Sequence, residues 1–352
     1  MNITESEFIN QFKPSKDIGL LHGVMGICIY QYLLGRETEL KEYTDIADEL
    51  LDEIYCQVSK NIPVNFEFGL AGIGWGIEFL TQNEFVEADT DEVLGDIDKA
   101  VLKSITSDSP LDMSMANGLT GYLLYLIKRL QSKDQLKNTI TTELNKELLI
   151  LVINKLEQCY NKYFTSISKD ICFDLFSGFP IQINALSQAY ELGIYNSKIE
   201  RILVQLLPSF ETSMPSMHTN RLTLACELKY LHAQIPNQRL ERLIDILLYT
   251  VDFDQLLNEI SDETIGVRNG LAGLKYILWK LLKILPVESP YYMKVTQTLK
   301  SFPEINEKFP DDEKLVTPQT LSLGEGIIGV KIMNLLLEQK EPITLSKEVV
   351  LT

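Results

Sequence analysis

The sequence contains few of the residues from which metal sites and disulfides are built. Its 352 residues include only three histidines and five cysteines. The cysteines are odd in number and form no Cys-x-x-Cys pair, so neither a disulfide framework nor a zinc ribbon is predicted. We expect them to be reduced and mostly buried; they are Cys28, Cys56, Cys159, Cys172 and Cys226.

Long apolar runs and a targeting signal are also missing. A membrane helix needs about 18 or more consecutive apolar residues, and every apolar run here is interrupted well before that length. In residues 279–285, for example, Lys280 and Lys283 break the run. Residues 1–7 have neither a basic nor an apolar region. We therefore expect a cytoplasmic protein with no membrane partner.

Positive charge is scarce. The chain has 32 lysines and arginines against 49 aspartates and glutamates, a formal net charge of −17. Such a surface repels nucleic acid and anionic lipid, so neither is expected as a partner. Solubility is the simplest reason for the acidity, and a surface adapted to a basic peptide or partner is the alternative.

A repeated glycine phrase is the main positive feature of the sequence. Five Gly-x-x-Gly pairs each open an apolar run, and they begin at Gly23, Gly69, Gly118, Gly270 and Gly326. A sixth copy begins at Gly178, but Ile181 replaces its second glycine. The spacing before Gly270 is about twice the others, so a unit without glycines is predicted near residues 218–231.

The period of the repeat fits a pair of helices per unit. A unit of roughly 46 residues is too long for one ordinary helix. Between the glycine-led runs, apolar residues recur every three or four positions, as in residues 40–58 and 140–156. We predict an all-α fold, with apolar inner helices surrounded by amphipathic outer helices, in one domain over residues 1–352. Because glycine costs roughly 1 kcal/mol in a helix, its repetition predicts either the close approach of a neighbouring backbone or a tight start to the first turn.

The glycine-led units resemble the lanthionine synthetase C-like (LanC-like) superfamily. The phrases at residues 68–76 and 323–329 carry the likeness, which extends over nearly the whole chain. The resemblance implies a double-layered α/α toroid of seven inner and seven outer helices with a cavity at one end. It also implies a substrate: peptides whose dehydrated Ser or Thr residues are attacked by cysteine thiols, forming thioether rings.

In the family, this chemistry uses a zinc ion bound by two cysteines and a histidine. The ligands come from a Trp-Cys-x-Gly-like turn and, one unit later, a Cys-His-Gly sequence. Here Arg268 and Asn269 precede Gly270, and we align the first motif with Leu175 and Phe176. A guanidinium and an amide cannot replace a thiolate and an imidazole as zinc ligands. We expect no metal and no other cofactor, although Cys172, Cys226 and His218 remain a conceivable substitute site.

Several polar residues near the glycines are candidates for the cavity. His22 is a candidate for proton transfer because its unperturbed pKa lies near neutrality, and Asp112 is the second catalytic candidate, with helix capping as its alternative. Arg268 is predicted either to bind an anion or to form an internal salt bridge. The other candidate ligand-binding residues are Asn269, Glu325, Ser177, Asp174, Asn117 and Cys172.

Two classes of function remain open. The first is a zinc-lacking relative of the peptide cyclases that binds a precursor or modified peptide, with at most metal-independent cyclase activity; a modification enzyme is a further candidate partner. The second is a glycoside hydrolase, which needs two carboxylates roughly 5 to 9 Å apart. Its candidate carboxylates are Asp112, Asp174 and Glu325. We favour the first class, with binding ahead of catalysis.

Overall fold

The fold is known from a computed structural model that describes residues 17–58, 62–107, 109–131, 140–163, 173–212, 214–305 and 318–338. These ranges contain helices and no strands. In chain order the α-helices are α1 (Val24–Thr38), α2 (Lys41–Gln57), α3 (Leu70–Gln82), α4 (Thr90–Val93), α5 (Gly95–Thr106), α6 (Leu119–Leu130), α7 (Ile140–Tyr163), α8 (Gly178–Glu191), α9 (Asn196–Thr212), α10 (His218–Gln234), α11 (Gln238–Tyr249), α12 (Leu271–Ile284), α13 (Pro290–Lys300), α14 (Pro318–Leu321) and α15 (Ile327–Glu338).

Seven helices form a closed inner ring. Each inner helix packs against the next along the chain, in the order α1, α3, α6, α8, α10, α12, α15. The ring closes because α15 packs against α1. The unit without glycines, predicted near residues 218–231, is confirmed as α10. The chain is therefore an α/α toroid, as predicted.

The outer layer consists of amphipathic helices. In the described ranges α2, α5, α7, α9, α11 and α13 pack, in that order, against the first six inner helices. The prediction of a seventh outer helix concerns residues outside those ranges. Helix α2 buries only a stripe that includes Ile46, Leu50 and Ile54, whereas every residue of α6 is buried. This difference follows the sequence, because an outer helix has one apolar face and an inner helix is apolar on all sides.

The glycines are explained by a loop that folds back over the start of five of the inner helices, α1, α3, α6, α12 and α15. A Cβ added to Gly121 would lie 2.1 Å from the carbonyl oxygen of Met115, and one added to Gly72 would lie 2.0 Å from that of Phe66. In both cases the carbonyl belongs to the residue six positions earlier. The predicted close backbone approach is therefore confirmed, and its partner is the preceding loop.

The damaged sixth copy enters its helix by another route. Gly178 has a φ of 71°, a left-handed conformation that favours glycine, whereas Gly69 and Gly118 have φ values of −122° and −121°. Pro180 lies in the first turn of α8, where a missing N–H is tolerated. The loop before α8 therefore differs from the other loops.

A buried ion-pair network ties the other end of α6 to its neighbours. The Arg129 guanidinium, 1% exposed, donates to Glu78 of α3, to Asp98 of α5 at 2.9 Å and to Asp91 of α4 at 2.9 Å. In the part of the chain that is described, no helix is both long and apolar enough to cross a membrane.

Candidate functional site

The loops that precede the inner helices meet at one end of the ring. Backbone hydrogen bonds join them one to another: Glu67 N donates to Ala116 O, Leu21 N to Glu67 O, Gly324 N to Leu21 O, Arg268 N to Gly324 O, and Leu175 N to Arg268 O. We call this end the mouth, and define it as residues 17–23, 62–69, 109–118, 173–177, 260–270 and 322–326. These contacts bring together side chains from six units.

Arg268 lies at the centre of the mouth, where it contacts three other loops. Its Nε donates to Asp174 Oδ2 at 3.1 Å, and its Nη1 lies 3.4 Å from both Glu67 Oε1 and Glu325 Oε1. Burial lowers the pKa of the guanidinium, but the carboxylates of Asp174, Glu67 and Glu325 outweigh that effect and raise the pKa above its usual value. Of the two roles predicted for Arg268, the structure shows the internal salt bridge.

His22 is held by its two neighbours from the α3 loop. Its Nε2 lies 2.9 Å from Glu67 Oε1, and its imidazole stacks on the Phe68 ring with 5.1 Å between centroids. The side chains of His22 and Glu67 are each only 9% exposed. An ionised carboxylate only accepts hydrogen bonds, so Nε2 carries a proton in this pair. Nδ1 is buried and has no hydrogen-bond partner in the described residues.

Glu67 therefore joins the two strongest candidates, His22 and Arg268, and it was missed by the sequence analysis. One signal was available: Glu67 and Arg268 both stand two residues before the first glycine of their units. His22 and Glu325 both stand one residue before it. Aligning the units on their glycines and listing these two positions would have identified all four residues.

The remaining predicted residues are not joined to Arg268 by the contacts described above. Asp112 is exposed, and its Oδ1 accepts from the backbone N–H of Ser114 at 2.8 Å and from its hydroxyl at 2.6 Å, so it organises its own loop. Asn117 accepts from Asn65 at 2.6 Å at the rim. Ser177 and Asn269 are exposed. Cys172 lies outside the described residues.

The residues of the mouth do not fit the family's zinc ion. The inner helix immediately before α12 is α10, so the first zinc motif, counted one unit back from Arg268, falls near residues 215–218. Our alignment of that motif with Leu175 and Phe176, at the start of α8, was one unit too early. Neither position contains a cysteine. The cationic Arg268 and the amide Asn269 remain at the second motif, and neither is a zinc ligand of this class.

The conceivable substitute site is not assembled by the described residues. Cys226 lies in the middle of α10, fully buried, whereas His218 is the first residue of that helix, and its Nδ1 accepts from Asp252 N at 3.1 Å. Within the described ranges no group of three or more His, Cys, Asp and Glu residues is arranged to hold a metal ion. Of the other cysteines, Cys28 is buried, Cys159 is half-buried and Cys56 is exposed.

Two mouth carboxylates are close enough for the glycosidase geometry, but both already pair with Arg268. Glu67 and Glu325 both lie 3.4 Å from the same nitrogen of Arg268, so their oxygens are at most twice that distance apart. That limit falls within the separations that glycosidases use. The same Arg268 nitrogen nevertheless contacts both carboxylates, so both are engaged in an internal ion pair. The arrangement therefore does not favour glycoside hydrolysis.

Comparisons with known proteins agree with the fold. Residues 14–166 match the family profile of the lanthionine synthetase C-like proteins. Among solved structures, nisin cyclase matches with a TM-score of 0.67 and 15% sequence identity, over 96% of this chain and 92% of that protein. The search of curated proteins found no match. The profile match therefore lies in the first half of the chain, whereas the similarity of fold to nisin cyclase extends over nearly the whole chain.

Proposed function

We propose that this protein binds a precursor or modified peptide at the mouth of its toroid, as part of peptide maturation and without zinc chemistry. The observation that carries the proposal is the position of Arg268. It stands where the family places a zinc ligand, and its guanidinium is bound by carboxylates from three loops. A fixed cation supported in this way takes the place of the metal in the structure of the mouth.

Chemistry beyond binding would have to come from the residues of the mouth. The Glu67–His22 pair is the one described arrangement there that suits proton transfer, because the carboxylate orients the imidazole. It lacks the metal that turns a bound thiol into a thiolate near neutral pH. We therefore expect binding as the main activity, and thioether formation to be slow or absent. A peptide-modifying enzyme that acts earlier on the same peptide is the partner we expect.

Metal analysis tests the first part of the proposal. The purified protein, equilibrated with zinc and then freed of loose metal, should contain far less than one zinc per chain by elemental analysis. Circular dichroism and peptide affinity should be unchanged by a chelator. One equivalent of zinc that resists removal would contradict the proposal. Replacing Cys226 and Cys172, one at a time, would then show whether these cysteines form the substitute site.

Binding and turnover can be separated with one peptide. A dehydrated peptide that contains one cysteine should bind, as measured by calorimetry, while mass spectrometry with thiol alkylation shows that its free thiol persists. The variant Arg268→Met should weaken binding, because the mouth loses the contact that joins its loops. Asp45→Asn, on the outer face of α2, is the control and should bind normally. Absence of any peptide affinity would refute the proposal, and rapid loss of the thiol would show catalysis.

A further inference from the structure

We propose that the mouth binds a primary ammonium group, either of a lysine side chain or of the N-terminus of a peptide. This inference deepens the proposed function, because it concerns the same site and names the group that is recognised. It rests on the charge of the mouth, on the hydrogen-bond donors that are already used there, and on two side chains whose contacts leave capacity for a cation.

The mouth is strongly acidic. Its loops carry a single lysine or arginine, Arg268, whereas they contain seven acidic residues: Asp17, Glu67, Asp112, Asp174, Asp262, Glu263 and Glu325. The acidic residues therefore exceed the basic one by six. The six inner helices that follow these loops contribute about half a positive charge each at their N-termini, which offsets about half of that excess. The remaining field is negative and attracts cations.

At four of the inner helices the first amide is already bonded within the chain, so it does not serve an anion. In four units the loop carbonyl that folds back accepts from the first amide of the helix, at 2.9 to 3.0 Å. The donors are Val24, Leu70, Leu119 and Leu271, and the acceptors are Asp17, Pro63, Asp112 and Thr264. The guanidinium of Arg268 is likewise bound to carboxylates. The mouth is thus rich in acceptors and poor in donors.

The contacts of two further side chains favour a ligand that donates hydrogen bonds. His22 is nine-tenths buried beside Glu67, and its Nδ1 has no partner in the described part of the chain. In the tautomer that donates from Nε2 to Glu67, Nδ1 presents a lone pair to a hydrogen-bond donor. Phe68 stacks one face on His22 and is 39% exposed, so its ring can also interact with a cation. An ammonium group carries positive charge and three donors, which suits this set.

The first test uses a small probe and does not depend on peptide binding. The chain has only three histidines, so the ¹⁵N resonances of His22, His218 and His232 can be followed separately. Titration with n-butylammonium should shift the His22 signals to saturation and leave the other two histidines unchanged. Neither n-butanol nor butyrate should do so, and salt should weaken the effect. An equal response to butanol or butyrate would refute the proposal.

The second test identifies the source of the ammonium group. Four versions of one short peptide are compared. One has a free lysine amine only, one has a free N-terminal amine only, and one has both amines free. In the fourth, both amines are acetylated. The acetylated version should bind about tenfold more weakly than the better single-ammonium peptide. Glu325→Gln should reduce this tenfold preference to about threefold or less. Glu325 is the most accessible of the three carboxylates that bind Arg268. Asp45→Asn should leave the preference intact.

The two proposals fail in different ways. If the acetylated peptide binds as tightly as the others, the ammonium site is wrong while peptide binding stands. If butylammonium shifts His22 but no peptide binds, the cation site stands and the proposed peptide function is wrong. If Glu325→Gln changes nothing while the ammonium preference persists, the cation binds elsewhere and the assignment to the mouth is refuted.

Discussion

Removing the charge of Arg268 should destabilise the fold by about 2.5 kcal/mol at neutral pH. Asp174 and Glu67, 16% and 9% exposed, each contribute about 1 kcal/mol at the upper end for accessible pairs, and the more exposed Glu325 about 0.5 kcal/mol. The repulsion among the three carboxylates, about 0.7 kcal/mol for two charges 6 Å apart in water, is already present in the wild-type protein and does not add to this cost. The energy is distributed over four loops, so its loss should loosen the mouth as a whole.

The pH dependence of this loss has a definite sign. The folded-state pKa of Arg268 is raised, so its stabilising contribution is fully present below the unfolded value and is lost only at strongly alkaline pH. The cost of Arg268→Met should therefore be unchanged between neutral and mildly alkaline pH.

Urea unfolding followed by circular dichroism measures this prediction directly. Arg268→Lys should recover only part of the stability, because one ammonium cannot reproduce the fork that contacts all three carboxylates. Asn269→Ala, at the exposed neighbouring position, should change stability by less than about 0.5 kcal/mol. A cost for Arg268→Met below about 0.5 kcal/mol, or one that disappears between neutral and mildly alkaline pH, would refute the reasoning.

Three further predictions concern other parts of the fold. Gly121→Ala should cost more than about 2 kcal/mol, because its Cβ would overlap the Met115 carbonyl, whereas Gly95→Ala, with open space around it, should be neutral or slightly stabilising; equal effects in urea unfolding would contradict this. Arg129→Met should destabilise by about 3 to 5 kcal/mol, since it leaves buried carboxylates unpaired; a loss below about 1 kcal/mol would show that the network is dispensable. In the native protein, alkylation followed by peptide mapping should find Cys56 labelled well before Cys28, because burial raises the pKa of the Cys28 thiol; early labelling of Cys28 would imply that α1 opens.

The toroid was accessible from the sequence because its determinants are local. A glycine pair at the start of an apolar run and an amphipathic stripe in the following helix both lie within a few turns of the chain. Even the missing copy was located, since the doubled interval before Gly270 left room for one unit. The first zinc motif was misaligned because α8 begins with a glycine and α10 does not. The motif was therefore assigned to the start of α8, one unit before the start of α10.

The site could be predicted only in part. The sequence determined that Arg268 and Asn269 stand in place of zinc ligands, because that statement needs only position relative to a glycine. Only the tertiary structure decided that Arg268 meets Glu67, which is 201 residues away, and that Glu67 also holds His22. Ring closure brings the loops of distant units within hydrogen-bond distance, and no local pattern records which side chains then meet. Position relative to the repeat glycine would have named Glu67 as a candidate, but not its contacts with Arg268 and His22.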